Sequence, residues 1–371
     1  MFAKGAAVIQ LFEEWVPKSL AVEDDKIGLQ LGTLQKEIKK VMVTLEITDE
    51  VIDEAIAEKV DLIIAHHAII FRPLKHLQTD QPAGKRYEKC IKNDIAVYIA
   101  HTNLDIAEGG INDMMAEALG ISKTKVLSVT QTEPLLKLAV YVPEEHHDKL
   151  MHAVMQAGAG HIGAYSHCSF NTEGIGTFLP EEGTKPYVGS QGKLEQVKEL
   201  RLETIVPERK LKRVVQAMLK AHPYEEPAYD VYPLKLEGKP FGLGRVGKLE
   251  QEVTLREFNE VVKKAFDVPM TRVVGDLDRM VRKVAVMGGQ GARYMSSAIF
   301  QGADVFVTGD IDYHTAQDAL AAGMCLIDPG HHTEQIMKSP VAEYLHRRFQ
   351  EQGYATEVVV SNVQTEPFQF I

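Results

Sequence analysis

Short apolar runs alternate with stretches of helical periodicity in the first third of the chain. Residues 41–45, 61–65 and 95–100 have the composition of buried strands, and residues 48–57 and 84–92 between them have the apolar spacing of helices. Strands that alternate with helices predict an α/β layer architecture. In such sheets, functional sites form just beyond the carboxyl ends of the strands.

The same alternation returns after about residue 245, whereas the middle of the chain contains an internal repeat. Two segments end in Val-Pro-Glu, at 142–144 and 206–208, and each is followed by a helical pattern and further strand. This pattern suggests a ferredoxin-like unit. We therefore predict an α/β fold in which a split α/β domain with a mixed sheet, residues 1–129 and 241–371, is interrupted by a ferredoxin-like α+β insert at 130–240. Stretches rich in glycine and proline at 181–192 and 237–247 are predicted to be turns or linkers.

The composition excludes several classes of protein. The formal net charge of −11 and the absence of a basic block argue against dedicated nucleic-acid binding. No apolar stretch approaches the roughly 18–20 residues that a membrane span needs, and no signal peptide is evident. The three cysteines are widely spaced and form no CxxC motif, which is typical of reduced thiols. We expect a soluble cytoplasmic protein without a membrane partner.

Histidines and carboxylates directly follow two of the predicted strands. His66 and His67 follow the second apolar run, and His101 and Asp105 follow the third. Imidazoles and carboxylates in such positions are typical ligands of metal centres. Each pair alone also has a structural explanation: hydrogen bonds to loop carbonyls for the adjacent histidines, and a helix cap or Asx turn for His101 and Asp105.

A third cluster, at 331–334, follows a Pro-Gly stop. A helix that begins near His331 would place His331 and Glu334 on one face and turn His332 away. A glutamate favoured by the helix dipole is the structural alternative. We interpret the clusters jointly, as groups that end three strands of one sheet. Five residues then suit two ions, with Asp105 free to bridge: His66, His67, Asp105, His331 and Glu334. The lack of a cysteine ligand fits a catalytic site.

Three further features leave alternatives open. Residues 288–291, Gly-Gly-Gln-Gly, could bind a phosphate through backbone N–H groups, although a tight turn is the preferred interpretation. His314 could be an acid–base group or part of a solvated helix start. Residues 222–227, His-Pro-Tyr-Glu-Glu-Pro, look like a structured turn of no evident purpose.

The motifs at 64–71, 101–105, 308–314 and 330–334, with the segment 15–32, jointly resemble the GTP cyclohydrolase 1 type 2 homolog family, also called Nif-three-like dinuclear metal proteins. The middle segment resembles the PII/CutA-like insert of the longer bacterial members. The resemblance implies that the five residues above form a dinuclear metal site and that the chain forms a ring-shaped homohexamer. Ala68 stands where the family commonly has proline, and Glu46 where it often has aspartate, but neither departure removes a ligand.

We therefore expect a hydrolase that depends on two divalent ions. Zinc is the first expectation, with manganese, iron or cobalt as alternatives. The ions would activate water, and His101 or His314 would move protons. The resemblance implies ring-opening hydrolysis of a purine nucleotide such as GTP. Two alternatives remain: a phosphoesterase that uses the same ions, and a metal- or nucleotide-sensing hexameric scaffold whose insert binds partners.

Overall fold

The computed structural model describes residues 1–369 and 371, and the chain forms two compact units. Unit 1 comprises Met1–Thr130 and Phe241–Ile371, and unit 2 comprises Gln131–Pro240. The strands, in chain order, are β1 (Ala3–Lys4), β2 (Gly28–Leu31), β3 (Glu37–Ile38), β4 (Lys40–Thr44), β5 (Leu62–Ala65), β6 (Ala96–Ile99), β7 (Ser122–Thr132), β8 (Leu135–Pro143), β9 (Ser169–Phe178), β10 (Glu195–Pro207), β11 (Tyr229–Pro233), β12 (Pro240–Thr254), β13 (Arg272–Val274), β14 (Met280–Gln290), β15 (Val305–Gly309), β16 (Cys325–Asp328) and β17 (Glu357–Val360).

The α-helices, in chain order, are α1 (Gly5–Glu13), α2 (Asp49–Ala57), α3 (Pro82–Lys92), α4 (Thr102–Ile106), α5 (Ile111–Ala118), α6 (His147–Gln156), α7 (Leu211–Ala221), α8 (Leu255–Phe266), α9 (Met295–Phe300), α10 (Tyr313–Ala321) and α11 (Lys338–Glu351). Short 3₁₀ helices separate some of these elements. Within residues 1–369 and 371, no helix combines the length and the apolar character that a bilayer crossing requires.

Unit 1 contains two large sheets. One has the strand order β17-β4-β5-β6-β2, with β2 antiparallel to its neighbour and the other pairs parallel. The other has the order β13-β16-β15-β14-β12-β7, in which the central pairs β14–β15 and β15–β16 are parallel. Strand β12 pairs antiparallel with β14, and β13 pairs antiparallel with β16. Both sheets are mixed, so the predicted α/β class with mixed pairing is confirmed.

The expectation that all three histidine-carboxylate clusters end strands of one sheet is wrong. Strands β5 and β6 belong to the five-stranded sheet, whereas β16 belongs to the six-stranded sheet. A hydrophobic core cluster contains residues of both sheets, for example Ile64 of β5 and Phe306 of β15. Residues from two sheets can therefore meet at one place in unit 1.

The strands β4, β5 and β6 are largely apolar because both faces of a parallel sheet are buried. In β5, Ile64 packs into the cluster that includes the second sheet, and its neighbour Ile63 packs into a separate cluster with α2. The helix α2 begins where the hydroxyl oxygen of Thr48 accepts a hydrogen bond from the N–H of Val51. Strands β5 and β6 end at Ala65 and Ile99, and the first two histidine-carboxylate clusters lie just beyond these ends.

The prediction of a turn or linker at 237–247 is wrong for residues 240–247, because these residues belong to β12, which begins at Pro240. Its glycines permit close contact with β7, its neighbour in the sheet. A Cβ atom at Gly242 would lie 2.0 Å from the carbonyl oxygen of Ser128, and one at Gly247 would lie 2.5 Å from that of Ser122. The glycine pattern of this segment is therefore a packing requirement of a strand.

Unit 2 has the element order β8-α6-β9-β10-α7-β11 and an antiparallel sheet of order β11-β8-β10-β9. This is the ferredoxin-like arrangement predicted from the internal repeat. One face of the sheet packs against both helices: Val140 and Leu202, which pair across β8 and β10, share a core with Leu150 of α6 and Val214 of α7. The ferredoxin-like prediction is confirmed.

Candidate metal centre

Four imidazole rings of unit 1 are each held by the Nδ1 atom. The Nδ1 contacts are as follows: His66 with the carbonyl oxygen of Ala100 at 2.9 Å, His67 with Glu46 Oε1 at 2.5 Å, His101 with Asp25 Oδ1 at 2.8 Å, and His331 with Asp310 Oδ2 at 2.7 Å. Because a carbonyl or carboxylate oxygen only accepts hydrogen bonds, each Nδ1 donates. This arrangement leaves each Nε2 as the potential ligand atom, as in histidines that bind metals.

The Nε2 atoms of three of these rings converge on the carboxylate of Glu334. Its Oε2 atom lies 3.1 Å from Nε2 of His67, 3.2 Å from Nε2 of His331 and 3.6 Å from Nε2 of His66. The Nε2 atom of His66 also lies 3.8 Å from Oδ1 of Asp105. Glu334 therefore belongs to two groups of potential ligands, one with His67 and His331 and one with His66 and Asp105. Asp105, which we expected to be free to bridge two ions, occurs in one of these groups, and its bridging role stays a prediction.

Three buried polar atoms at the centre of this cluster have no hydrogen-bond partner: Nε2 of His66, Oδ1 of Asp105 and Oε2 of Glu334. The imidazole nitrogens that lie close to Oε2 of Glu334 are not oriented to form hydrogen bonds with it. A buried polar atom without a partner costs about 1–3 kcal/mol, so such atoms in a native protein call for an explanation such as a bound ion. The imidazole and carboxylate donors suit a divalent cation. The residues present therefore fit a metal.

The charges of the metal-free cluster compensate one another. Burial disfavours protonation of His67, but the neighbouring carboxylates of Glu334 and Glu46 raise its pKa to about 10. The carboxylate of Glu334 raises the pKa of His331 to about 9. Burial raises the pKa of Asp105 to about 6. Burial alone would also raise the pKa of Glu334, but the surrounding imidazoles hold it well below its usual value. A cation that binds here would replace protons on the imidazoles.

Local structure at the third cluster differs from the prediction. Residues His331–Met337 form a 3₁₀ helix, and the α-helix α11 begins only at Lys338. In a 3₁₀ helix, residues three apart are eclipsed, which brings the side chains of His331 and Glu334 together more directly than an α-helix would.

The cluster opens into a cavity of about 580 Å³. His67, His101 and His331 line it together with Lys26, and its apolar wall includes Phe71, Phe368 and Leu45. The volume falls within the range of small-molecule sites, roughly 300–1,000 Å³. The arrangement thus combines a potential metal centre with space for a substrate.

The sequence of residues 3–367 matches the family model described as Duf34/NIF3 (NGG1p interacting factor 3). The chain belongs to the Duf34/NIF3 family. Two relatives carry the name GTP cyclohydrolase 1 type 2 homolog: one from Halalkalibacterium halodurans is 56% identical over 100% of this chain and 99% of the relative, and one from Bacillus subtilis is 55% identical over 99% and 98%. The family resemblance predicted from the motifs is confirmed.

A solved structure shares the complete fold. The Bacillus cereus protein related to NIF3 is 50% identical, covers 100% of both chains and superposes with a TM-score of 0.94. The fold of this Duf34/NIF3 chain is therefore shared with a solved relative over its full length.

The glycine motif at 288–291 of this Duf34/NIF3 chain was predicted to be a tight turn or a phosphate-binding loop, but its structural role is different. Strand β14 continues through Gly288 and Gly289, and both lie against the candidate metal centre. A Cβ atom at either position would lie 2.8 Å from Oε1 of Glu334, and one at Gly289 would also lie 3.1 Å from Nε2 of His331. The glycines make room for the carboxylate of Glu334.

The Gly289→Ala variant is expected to bind metal about tenfold more weakly than the wild type, because the added methyl group displaces Glu334 and His331. Gly289 has a φ of +58°, so alanine is also strained there. Gly323→Ala is the matched control, since Gly323 has a φ of +68° but no neighbour within 4 Å of a Cβ atom. Equal metal affinities of the two variants, measured by competition with a chromogenic chelator, would contradict this assignment.

The structure separates the two candidate proton-transfer residues. His101 lies within the cluster, grouped with His66 and His67. His314 is exposed at the start of α10, where its ring lies 5.5 Å from that of Tyr313, and it is in none of the ligand groups found among the described residues. His101 is therefore the better placed of the two.

Sequence reasoning missed the residues that orient the cluster. Asp25 holds His101 and Asp310 holds His331, and although both lie in segments that carry the family resemblance, neither was assigned a role from the sequence. Asn112 of α5 is buried, donates to the carbonyl oxygen of Asp105 at 2.9 Å and accepts from the N–H of Gly288 at 3.1 Å. No sequence pattern around Asn112 predicted that this residue connects α5 to β14.

Proposed function

We propose that this chain is a metal-dependent hydrolase that holds two divalent ions, zinc first among the candidates, among the residues His66, His67, Asp105, His331 and Glu334. The observation that carries the proposal is the convergence of three buried, unpartnered polar atoms on one point, the Nε2 atom of His66, Oδ1 of Asp105 and Oε2 of Glu334. Three groups of potential ligands occur among the described residues, and the two that share Glu334 support two ions rather than one.

When bound, divalent ions supply Lewis acidity that makes water nucleophilic near neutral pH. The chain's own residues contribute orientation and proton transfer. Glu46 and Asp310 fix the rings of His67 and His331 by accepting from Nδ1. Asp25 does the same for His101, whose Nε2 is then the atom that exchanges a proton with the substrate or water.

The substrate that we propose is a purine nucleotide, opened by hydrolysis of its imidazole ring. The cavity of about 580 Å³ is large enough for a base and sugar. Lys26 at the cavity is suited to a phosphate, and the apolar surfaces of Phe71 and Phe368 are suited to a base. A phosphoesterase with the same residues differs only in the bond that is broken, so the products distinguish the two: a formamide from ring opening, which releases formate after a second hydrolysis, and inorganic phosphate from the ester.

A sensing role without catalysis is the second candidate. It is favoured by a separate cavity of about 770 Å³ in unit 2, formed without residues of the metal cluster. Under this proposal the chain assembles as a homohexamer, and metal or ligand binding changes its assembly. Sedimentation velocity with and without metal tests this role, and an assembly that is the same in both states counts against it.

Metal analysis of the purified protein tests the hydrolase proposal. We expect about two ions per chain in the wild type and a loss of at least one in Asp105→Asn, because the amide removes an anionic ligand but keeps the shape of the side chain. Asp61→Asn is the control, since Asp61 accepts hydrogen bonds from the backbone of Lys39 and Lys40 and lies outside the ligand groups. A wild type that retains no zinc or manganese after incubation with either would refute the proposal.

A further inference from the structure

The second cavity lies on the sheet face of unit 2 that is opposite the helices. Tyr141, Arg201 and Thr172 are aligned across β8, β10 and β9, so they share this face, whereas the neighbouring Val140 and Leu202 point into the helix-packed core. The cavity measures about 770 Å³, the size of a small-molecule site.

Aromatic rings form a continuous wall of this cavity. The ring of Tyr224 lies 5.9 Å from that of Phe178 and 6.2 Å from that of Tyr187, and all three line the cavity. Tyr141 also lines it, and the guanidinium of Arg201 lies 5.9 Å from the centre of its ring. The tyrosine rings of this wall are thus able to interact with a cation.

The turn at 222–227 holds part of this wall in place. The Nε2 atom of His222 donates to the carbonyl oxygen of Tyr141 at 2.9 Å, and its Nδ1 atom accepts from the N–H of Tyr224 at 3.0 Å. Because both ring nitrogens are used, the imidazole is neutral and the turn is fixed before any ligand arrives. The turn therefore presents Tyr224, Glu225 and Glu226 to the cavity.

Carboxylates outnumber cationic groups in the cavity lining. The lining contains Glu182, Glu199, Glu225 and Glu226 against Lys185 and Arg201, whereas Glu173 lies opposite Leu200, on the helix-packed face of the sheet. The guanidinium of Arg201 is further compensated by Glu203 at 2.6 Å. A negative lining disfavours a nucleotide or another phosphate ligand and favours a cation.

Space in the cavity is created by glycines of β9. Gly174 lies opposite Glu199 in the sheet and has no neighbour within 4 Å of a Cβ atom. A Cβ atom at Gly176 would lie 2.2 Å from Oε2 of Glu199. The two glycines leave room for the carboxylate of Glu199, whose Oε1 accepts a hydrogen bond from the hydroxyl of Tyr224 at 2.9 Å.

We propose that this cavity of unit 2 binds an organic cation, an ammonium or quaternary ammonium group attached to an apolar body. The cation lies against Tyr187 and Tyr224 with Glu199 as its counter-ion, and the apolar body fills the remaining volume along Phe178. This site is independent of the proposed hydrolase function, and neither its ligand nor its residues are shared with the metal cluster.

Isothermal titration calorimetry of the full-length protein with benzyltrimethylammonium tests the proposal. We expect saturable binding at a stoichiometry of one per chain, and binding about tenfold weaker for benzyl alcohol, which has the ring without the charge. Benzyl phosphate is expected not to bind. Equal binding of the neutral compound, preferential binding of the phosphate, or no saturable binding of the cation below about 10 mM would each overturn the proposal.

Matched variants locate the site. Tyr187→Leu and Glu199→Gln are each expected to weaken the binding of benzyltrimethylammonium by about three- to tenfold. Tyr165→Leu and Glu237→Gln are the controls, because both residues are exposed in unit 2 and outside the cavity lining. Glu199→Gln preserves the side-chain shape, so circular dichroism should show an unchanged fold. A loss of affinity that is the same in the controls would overturn the assignment.

Discussion

Replacement of Glu334 by glutamine is expected to abolish the stabilisation of the fold by metal. In the wild type, a metal present at about 1,000 times its Kd should raise the free energy of unfolding by about 4 kcal/mol per site. Glu334 belongs to two of the three groups of potential ligands, and an amide supplies neither the charge nor the strong coordination of its carboxylate. The loss should therefore affect both ions at once, whereas the Asp105 variant should affect one.

Denaturant unfolding with and without zinc measures this difference. The wild type is expected to shift to higher denaturant on addition of zinc, and Glu334→Gln is expected to show no shift. Glu343→Gln is a suitable control because Glu343 is exposed on α11 and should leave the zinc response unchanged. A zinc-dependent shift of Glu334→Gln equal to that of the wild type would rule out Glu334 as the shared ligand.

The Asp113→Ala variant is expected to lower the free energy of unfolding by about 3–5 kcal/mol. Arg245 of β12 is 6% exposed, and its guanidinium makes a two-pronged contact with the carboxylate of Asp113, including a 2.9 Å bond from Nη2 to Oδ2. The same guanidinium donates to the carbonyl oxygens of Gly242 and Gly244. Without Asp113, the buried cation has no counter-ion.

An exposed ion pair of the same unit provides the control. Arg256 and Asp278 are 3.6 Å apart, and their side chains are 60% and 81% exposed. Removal of Asp278 should cost less than about 1 kcal/mol, because solvent screens the pair. Urea unfolding of both alanine variants measures the contrast. Similar losses from the two variants would show that the pair of Asp113 and Arg245 does not stabilise the fold through its charges.

Much of the fold was predictable because its signals are local. Near-continuous apolar runs such as β5 and β6 identify strands whose two faces are buried, and the 64-residue repeat of the Val-Pro-Glu motif identifies the two halves of unit 2. The number of sheets in unit 1 was not predictable. Strand pairing joins distant segments, such as β17 with β4, and no local pattern specifies which partners they choose.

The candidate site shows the same division. His66, His67, His101, Asp105, His331 and Glu334 were recognisable since each lies close to the end of a strand. The carboxylates of Asp25 and Asp310 were not, because their function depends on which imidazole they contact in three dimensions. The glycines of β14 resembled a phosphate loop or a turn, and only the approach of Glu334 explains them.

The order in which the potential ligands are synthesised has a consequence for how the proposed metal centre would be completed. His66, His67 and Asp105 are made first, then the whole of unit 2, and Glu334 follows 229 residues after Asp105. The carboxylate of Glu334, which two groups of potential ligands share, is thus absent from the growing polypeptide until most of it has been translated. A partly made chain can offer an ion three imidazoles, those of His66, His67 and His101, and the carboxylate of Asp105, so the proposed centre can be completed only after Glu334 has been added.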